Sequence, residues 1–399
     1  MEYRIREIHL DEREVEKELE RIEVHPVGIS IMKNKGKIRF LKIENIDVRA
    51  ANILKQEMLS IGGEVALSRD AFYLGKNECR AIVMGTVHHF NRLIPKLKLQ
   101  PFGLKDLAEE MEKIIHRTPV KATRIGDTLF EWGKRTYIMG IINLTPDSFS
   151  GDGLYSKERF VDNALGYACL LREWGADIID IGGESTRPGS EEVSYEEERR
   201  RVIPVLRKLV KDIDCPISVD TNKWEIAKEA LHLGASMIND VWGLKKDKEM
   251  AKIVAKYNVP VVIMHSIDGR GGPPPEGYYK DVVSDVYFSL KERIEFALEN
   301  GIKPHNIIID PGIGFGKGTE ENIKILSKLS EFKTLGYPLL VGTSRKSFIG
   351  DILSLPPEER LEGTISSVVT SIAKGVDIVR VHDVKEIKRA TIVADRILR

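Results

Sequence analysis

The residues of this 399-residue chain with the clearest capacity for chemistry stand just beyond a series of apolar runs. The run Met139–Ile142 stops at Asn143, and Asp147 follows inside a Thr-Pro-Asp-Ser turn. Later runs end in Glu184, Thr186 and Arg187, then in Asp220, in Asn239 with Asp240, and in Met264 with His265. The last three deliver Asp310, then Ser344-Arg345-Lys346-Ser347, and finally Arg380, His382 and Asp383. Each has an ordinary explanation alone, since an Asp after a strand often caps the next helix and an Arg often faces solvent. Polar groups after all eight runs point instead to one shared pocket.

The set has two chemical characters. Asp220, Asn239 and Asp310 supply acceptors and an amide, which suit a flat heterocycle carrying N–H groups, because a carboxylate accepts two parallel N–H bonds from such an edge. Lys346, Arg380 and His382 supply donors and positive charge for phosphate. Arg380 and His382 are two apart on a strand and share a face, so both reach one anion. Asn143 offers a hard oxygen ligand suited to Mg²⁺. A heterocycle site beside a phosphate-and-magnesium site points to displacement of pyrophosphate, with cations on one flank and carboxylates on the other.

Positioning such a ring requires a repeating architecture. The runs fall at 136–143, 176–183, 216–221, 236–241, 259–265, 306–312, 338–344 and 377–383, with amphipathic stretches between them. They are nearly continuous rather than alternating, as in a parallel sheet covered on both faces. Several intervening stretches end at a glycine (Gly175, Gly234, Gly301), a common helix stop. Eight strand–helix units predict a (β/α)8 TIM barrel over 126–399, with a doubly wound open sheet as the rival. Residues 1–125 lack this rhythm and read as a small α+β domain of βαβ type with no assigned chemistry. Its His88-His89 pair reads as a solvated helix start, since adjacent histidines do not converge on one ligand. The glycines of DPGIGFGKGTEEN (310–322) match neither nucleotide-binding register and read as a turn that lets backbone approach a ligand.

Composition removes other classes. Lys and Arg number 61 and so do Asp and Glu, so no global field favours nucleic acid or a membrane surface. The three cysteines (Cys79, Cys169, Cys215) are widely spaced and support neither a disulfide framework nor a thiolate metal site, which suits a reducing cytoplasm. The charged start does not fit a signal peptide, and no apolar stretch approaches membrane-spanning length.

From about residue 136 to 399 the chain resembles dihydropteroate synthases. The resemblance rests on NLTPDSFS (143–150), GGESTRPGS (182–190), ISVDT (217–221), IND (238–240), DPGIGFGK (310–317), GTSRKSF (342–348) and RVHDV (380–384). It implies a TIM barrel and a reaction: 6-hydroxymethyl-7,8-dihydropterin diphosphate condenses with p-aminobenzoate, releasing pyrophosphate with Mg²⁺ as cofactor, in folate biosynthesis. By resemblance, Asp220, Asn239, Met264, Asp310 and Lys346 hold the pterin, and Asn143, Arg380 and His382 hold the diphosphate and its metal. Thr186, Arg187, Phe315 and Ser347 line the aminobenzoate side, Asp147 steadies the metal or a closed loop, and the assembly is a homodimer. Asn143, Lys346, Arg380 and His382 are the expected catalytic set. Two loops depart from the family pattern: MHSIDGRGGPPPEGYY (264–279) is longer and carries Arg270, and SGDG offsets Asp152. These departures leave open a methanopterin-type acceptor, a ribosylated aminobenzene phosphate. A pterin-binding methyltransferase is the rival class, although it has no use for the SRKS and RVH segments.

Overall fold

A computed structural model describes residues 6, 8, 10, 14–72, 77–145, 157–184, 192–267, 269 and 273–399. The chain divides into two units, Met1–Thr118 and Pro119–Arg399. In the first, β1 (Ile38–Asp47), β2 (Glu64–Leu67) and β3 (Glu78–Thr86) form a sheet of order β1-β3-β2. β3 pairs antiparallel with both neighbours, so β1 and β2 run parallel, joined by the helix Val48–Leu59. This is a split βαβ unit rather than a simple one. Alternate residues Val65, Cys79, Ala81 and Val83 are buried with Leu54, Met58, Phe90 and Leu93 from two helices. His89 folds back to cap its own helix: Thr86 N–H donates to its Nδ1 at 3.2 Å, and His89 N–H donates to Thr86 Oγ1 at 3.4 Å.

The second unit opens with a hairpin, β4 (Ala122–Ile125) and β5 (Thr128–Glu131). Eight parallel strands follow: β6 (Tyr137–Asn143), β7 (Ile178–Gly182), β8 (Ile217–Asp220), β9 (Met237–Asp240), β10 (Val261–Met264), β11 (Ile307–Asp310), β12 (Leu340–Val341) and β13 (Ile378–Val381). Each matches one of the apolar runs read from sequence. The order β11-β10-β9-β8-β7-β6-β13-β12, with a parallel bridge from Ile309 to Leu339, brings the sheet round into a (β/α)8 barrel.

Period-two alternation sorts the barrel residues. Ile138, Ile142, Ile179, Ile181, Val219, Ile263 and Ile309 face outward into the helix layer. Tyr137, Met139, Ile178, Met237, Val262, Ile308, Leu340 and Ile378 fill the lower interior, together with Ile125 and Phe130 of the hairpin. The hairpin therefore closes the bottom of the barrel, and Thr123 Oγ1 donates to His305 O at 2.7 Å to fasten it. The division after Thr118 falls at the start of the 118–130 interval in which the sequence places the boundary, and it keeps both strands of the hairpin in the barrel unit. The short strands ATRI and TLFE carried too little pattern to reveal which unit they join.

With the floor sealed by apolar layers, polar residues in the upper interior have only the C-terminal mouth to face. Phe130→Ala, which empties a fully buried floor position, should cost about 3–4 kcal/mol in urea unfolding while leaving substrate KM values within about twofold. A comparable loss of substrate affinity in the folded variant would show that floor and mouth are coupled.

Candidate active site

Register places the site residues on adjoining interior rungs. Asn143, Gly182, Asp220 and Asn239 pair successively across β6 to β9, and Met264 pairs with Asp310 across β10 and β11. One rung lower, Ile141, Asp180, Ser218 and Met237 pair in the same way. Arg380 of β13 reaches across this interior. Its Nε donates to Asp180 Oδ2 at 2.6 Å and its Nη2 donates to Asp220 Oδ2 at 2.8 Å. Asn239 Nδ2 also donates to Asp180 Oδ2, at 3.3 Å. The expected segregation of cations from carboxylates is therefore not what the structure shows. β13 stands two strands from β7 and three from β8 around the barrel, and its long side chain crosses the interior to the carboxylates of both.

Beside this triad, Asn143 Nδ2 lies 3.5 Å from His382 Nε2, and His382 Nδ1 lies 3.0 Å from Ser344 Oγ. Burial and the Arg380 charge push His382 down to about 4. The imidazole is neutral at neutral pH and supplies hydrogen bonds rather than the positive charge expected from sequence.

The turn after β11 is shaped by close contacts. Asp310 Oδ1 accepts from Gly312 N–H at 2.7 Å. Gly312 has φ of 70° and its backbone lies so near the end of β10 that an added Cβ would sit 1.9 Å from His265 O. Lys317, 3% exposed, fastens the same turn: its Nζ donates to Gly312 O and Phe315 O at 2.9 Å each and to His265 O at 3.3 Å, and lies 2.9 Å from His265 Nδ1. Burial pushes Lys317 down to about 7, against the pull of Asp310 and with help from Lys346 and Lys245. His265 is likewise pushed down by burial and by Lys317, so it is a neutral acceptor here. The turn presents Phe315, which packs with Met264 and Val241. Lys346 Nζ stands 4.1 Å from the centre of the Phe315 ring, a cation–π contact.

Burial also tunes the acceptors and donors. It raises Asp310 to about 6 despite the Gly312 N–H and the charges of Lys346, Lys317 and Arg380. It lowers Lys346 to about 8, helped by Arg380 and opposed by Asp310 and Asp220. Asp220 is raised by burial, with Arg380 opposing and Asp180, Glu198 and Asp240 adding to the rise. Perturbed groups gathered in one recess are the electrostatic mark of a functional site.

Among the sequence-derived candidates, Asn143, Asp220, Asn239, Met264, Asp310, Phe315, Lys346, Arg380 and His382 meet at the mouth. Ser347 is exposed at the start of the helix Ser347–Leu353. Asp240 is buried and accepts the Trp242 and Leu244 N–H groups at 2.9 Å each, a structural role. Asp147, Asp152, Thr186, Arg187 and Arg270 lie outside the described residues. Sequence reasoning missed Asp180, Lys317 and Lys223. Lys223 Nζ bridges Glu184 Oε2 and the fully buried Glu198 Oε2 at 2.7 Å each, so it anchors the start of the loop after β7. The available signal was a charged residue inside an apolar run (Asp180) or directly after a glycine turn (Lys317).

A family model described as "pterin binding enzyme" matches residues 139–382. The dihydropteroate synthase of Clostridium beijerinckii is 50% identical over 277 residues, 69% of this chain and 99% of that protein. The chain belongs to the dihydropteroate synthase family. It is an enzyme of pterin-transferring type. A crystal structure of the Clostridium difficile dihydropteroate synthase in the presence of pteroic acid shares 52% identity with a TM-score of 0.64, covering 68% of this chain and 99% of that one. A Halobacterium salinarum protein described as a probable bifunctional folylpolyglutamate synthase/dihydropteroate synthase is 41% identical over 378 residues. That match takes in 94% of this chain and 45% of the other, so it extends into the first unit.

The tight turn yields a test. Gly312→Ala forces a Cβ against His265 O at a positive φ, which should destabilise the fold by at least about 2 kcal/mol. Denaturant titration should show that loss together with weakened pterin binding, because the Gly312 N–H that orients Asp310 moves. Wild-type stability would show that the turn has slack which the contact denies.

Proposed function

We propose that the protein condenses 6-hydroxymethyl-7,8-dihydropterin diphosphate with p-aminobenzoate and releases pyrophosphate. The observation that carries this reading is the convergence of Asp220, Asn239 and Asp310, from three strands, and of Lys346, from the turn before the helix Ser347–Leu353, on the recess where Arg380 lies. Asp220, Asn239 and Asp310 accept the N–H groups of the heterocycle, Lys346 donates to it, and Met264 and Phe315 pack against its faces. Asn143 and His382 hydrogen-bond the diphosphate, and Arg380 adds positive potential beneath it. As the pyrophosphate departs, negative charge grows on its oxygens near Arg380, while the pterin methylene gains positive character facing the carboxylates of Asp220 and Asp310. Preorganised charges of this kind act without reorganisation. An aromatic amine is nucleophilic when neutral, so the site needs no strong base.

Asn143 turns its Nδ2 toward His382, which directs its carbonyl oxygen elsewhere. One amide oxygen fits an Mg²⁺ ion carried mainly by substrate phosphates and water, the usual manner of Mg²⁺ binding. No group of three or more His, Cys, Asp or Glu side chains able to hold a metal occurs among the described residues. When bound, the ion would neutralise the leaving diphosphate. Thr186, Arg187, Phe315 and Ser347 are assigned to the aminobenzoate side through the family resemblance. Exposed Ile392, Val393 and Ile397 on the helix Val384–Leu398 support a homodimer. No described helix is long and apolar enough to cross a membrane, and a cytoplasmic setting suits three unpaired cysteines.

Pyrophosphate release should be followed with the pterin diphosphate and either p-aminobenzoate or a ribosylated aminobenzene phosphate. Turnover with p-aminobenzoate supports the reading, turnover with the ribosylated amine alone transfers it to the methanopterin type, and release with neither refutes it. Arg380→Ala should lower kcat by about 10²-fold or more. It also strips the counter-charge from Asp180 and Asp220 and should cost about 3 kcal/mol or more of stability.

The pH profile supplies a separate check. kcat/KM for the pterin diphosphate should fall below about pH 6, where Asp310 gains a proton and stops accepting two N–H bonds. It should fall again above about pH 8, where Lys346 loses its charge. Lys346→Arg keeps the charge and should remove the alkaline limb only. An unmoved alkaline limb in that variant would assign it to another group.

A further inference from the structure

Among the described residues, Asp180 is the one carboxylate of the barrel interior to which neither the motifs nor the proposed chemistry gives a task. It stands on β7, in register between Ile141 and Ser218, a rung below Gly182 and Asp220. Its side chain is wholly buried, whereas that of Asp220 keeps 12% exposure. Oδ2 takes two donors, Arg380 Nε at 2.6 Å and Asn239 Nδ2 at 3.3 Å. Oδ1 is buried and has no hydrogen-bond partner in the structure. A carboxylate so placed is retained at a desolvation cost, offset here by the guanidinium it touches.

Its two contacts have different consequences. An ionised carboxylate only accepts hydrogen bonds, so the Asn239 amide must turn its NH₂ toward Asp180. The carbonyl oxygen of Asn239 is then the end left for a ligand, which makes the upper rung a row of acceptors: Asp220, Asn239 and Asp310. The Arg380 contact matters because Asp220 holds the same guanidinium through Nη2 at 2.8 Å. When Asp220 turns to the N–H edge of a heterocycle, it gives up part of that contact. Arg380 then needs a second carboxylate to stay in place.

We propose that Asp180 is a positioning residue for pterin recognition: it is the permanent counter-ion of Arg380 and fixes the amide orientation of Asn239, while Asp220 is the exchangeable partner that passes from Arg380 to the substrate. This rests on the reading of the site as a pterin site. Asp180 touches no reacting atom. Its effect is on how tightly and in which orientation the heterocycle is held, so it separates affinity for the pterin from affinity for the amine.

Two measurements test this. In steady-state kinetics, Asp180→Asn should raise KM for the pterin diphosphate at least tenfold and leave KM for p-aminobenzoate within twofold. Introducing the same change into Asn239→Ala should raise the pterin KM by a smaller factor than it does in the unmutated protein. A purely structural Asp180 would lower the melting temperature and leave the pterin KM of the folded protein unchanged, which overturns the role. The second measurement uses the unmutated chain and holds even where the variant fails to fold. In ¹⁵N-arginine-labelled protein, the Arg380 Nε–H resonance should stay in place and resist exchange when the pterin diphosphate is added, while its Nη resonances move. A mobile Nε–H beside static Nη signals reverses the assignment of permanent and exchangeable partners and overturns the proposal. If the unmutated protein fails to bind the pterin diphosphate, the pterin reading falls and takes this role with it. Binding by the unmutated protein with an equally tight variant removes the role alone.

Discussion

The structure of the site depends on one buried charge arrangement, the Arg380 guanidinium held by Asp180 and Asp220. Removing three ionised groups from water is expensive, and the mutual attraction of such groups repays that cost only when geometry and hydrogen bonding are good. The barrel supplies that geometry. β13 and β7 flank β6, and β8 lies beyond β7, so a long side chain from β13 crosses the interior to both carboxylates. The apolar layers below, capped by Ile125 and Phe130, exclude water from beneath and strengthen each of these contacts. The scaffold's packing and the site's electrostatics are in this sense one problem with one solution.

The turn after β11 solves a related problem with a different device. Asp310 has to face the same recess without a guanidinium of its own, and its charge is supported by the Gly312 N–H, by Lys346 and by Lys317. Lys317 spends its hydrogen bonds on backbone carbonyls and on His265, so it serves as a clamp on the turn rather than as a donor to a ligand. That leaves Lys346, next to Phe315, as the ammonium proposed to donate to the heterocycle. Two lysines in the same recess thus have separate functions, set by what surrounds each.

Much of this was legible in the sequence, for physical reasons. β-branched runs buried on both faces carry a strong strand signal, and eight of them alternating with amphipathic stretches leave few architectures open. Residues such as Asn143, Asp220 and Asp310 could be singled out because they interrupt those runs at the end that faces the mouth. Asp180 escaped notice because it lies inside the run IIDIG, where one polar residue among isoleucines looks like noise until its partner two hundred positions away is known. The partition of charge into two flanks failed because a linear reading cannot tell how far a long side chain such as that of Arg380 reaches within the barrel interior. The charge state of His382 was missed because burial and a neighbouring Arg380 depend on tertiary placement alone. A boundary read at 125/126 cut the hairpin 122–131 between its two strands, because four-residue strands have too few positions for a pattern.

The central claim, that strand tips from opposite sides form one recess with a carboxylate floor for the heterocycle and an Asn143–His382 side for the diphosphate, is tested most directly by a crystal structure with the pterin diphosphate bound. The account predicts the N–H edge of the ring within hydrogen-bond distance of Asp220 and Asp310, the ring against Met264 and Phe315, and the diphosphate beside Asn143 and His382. A ligand lying with its diphosphate against Asp310, or seated away from the barrel mouth, would contradict it.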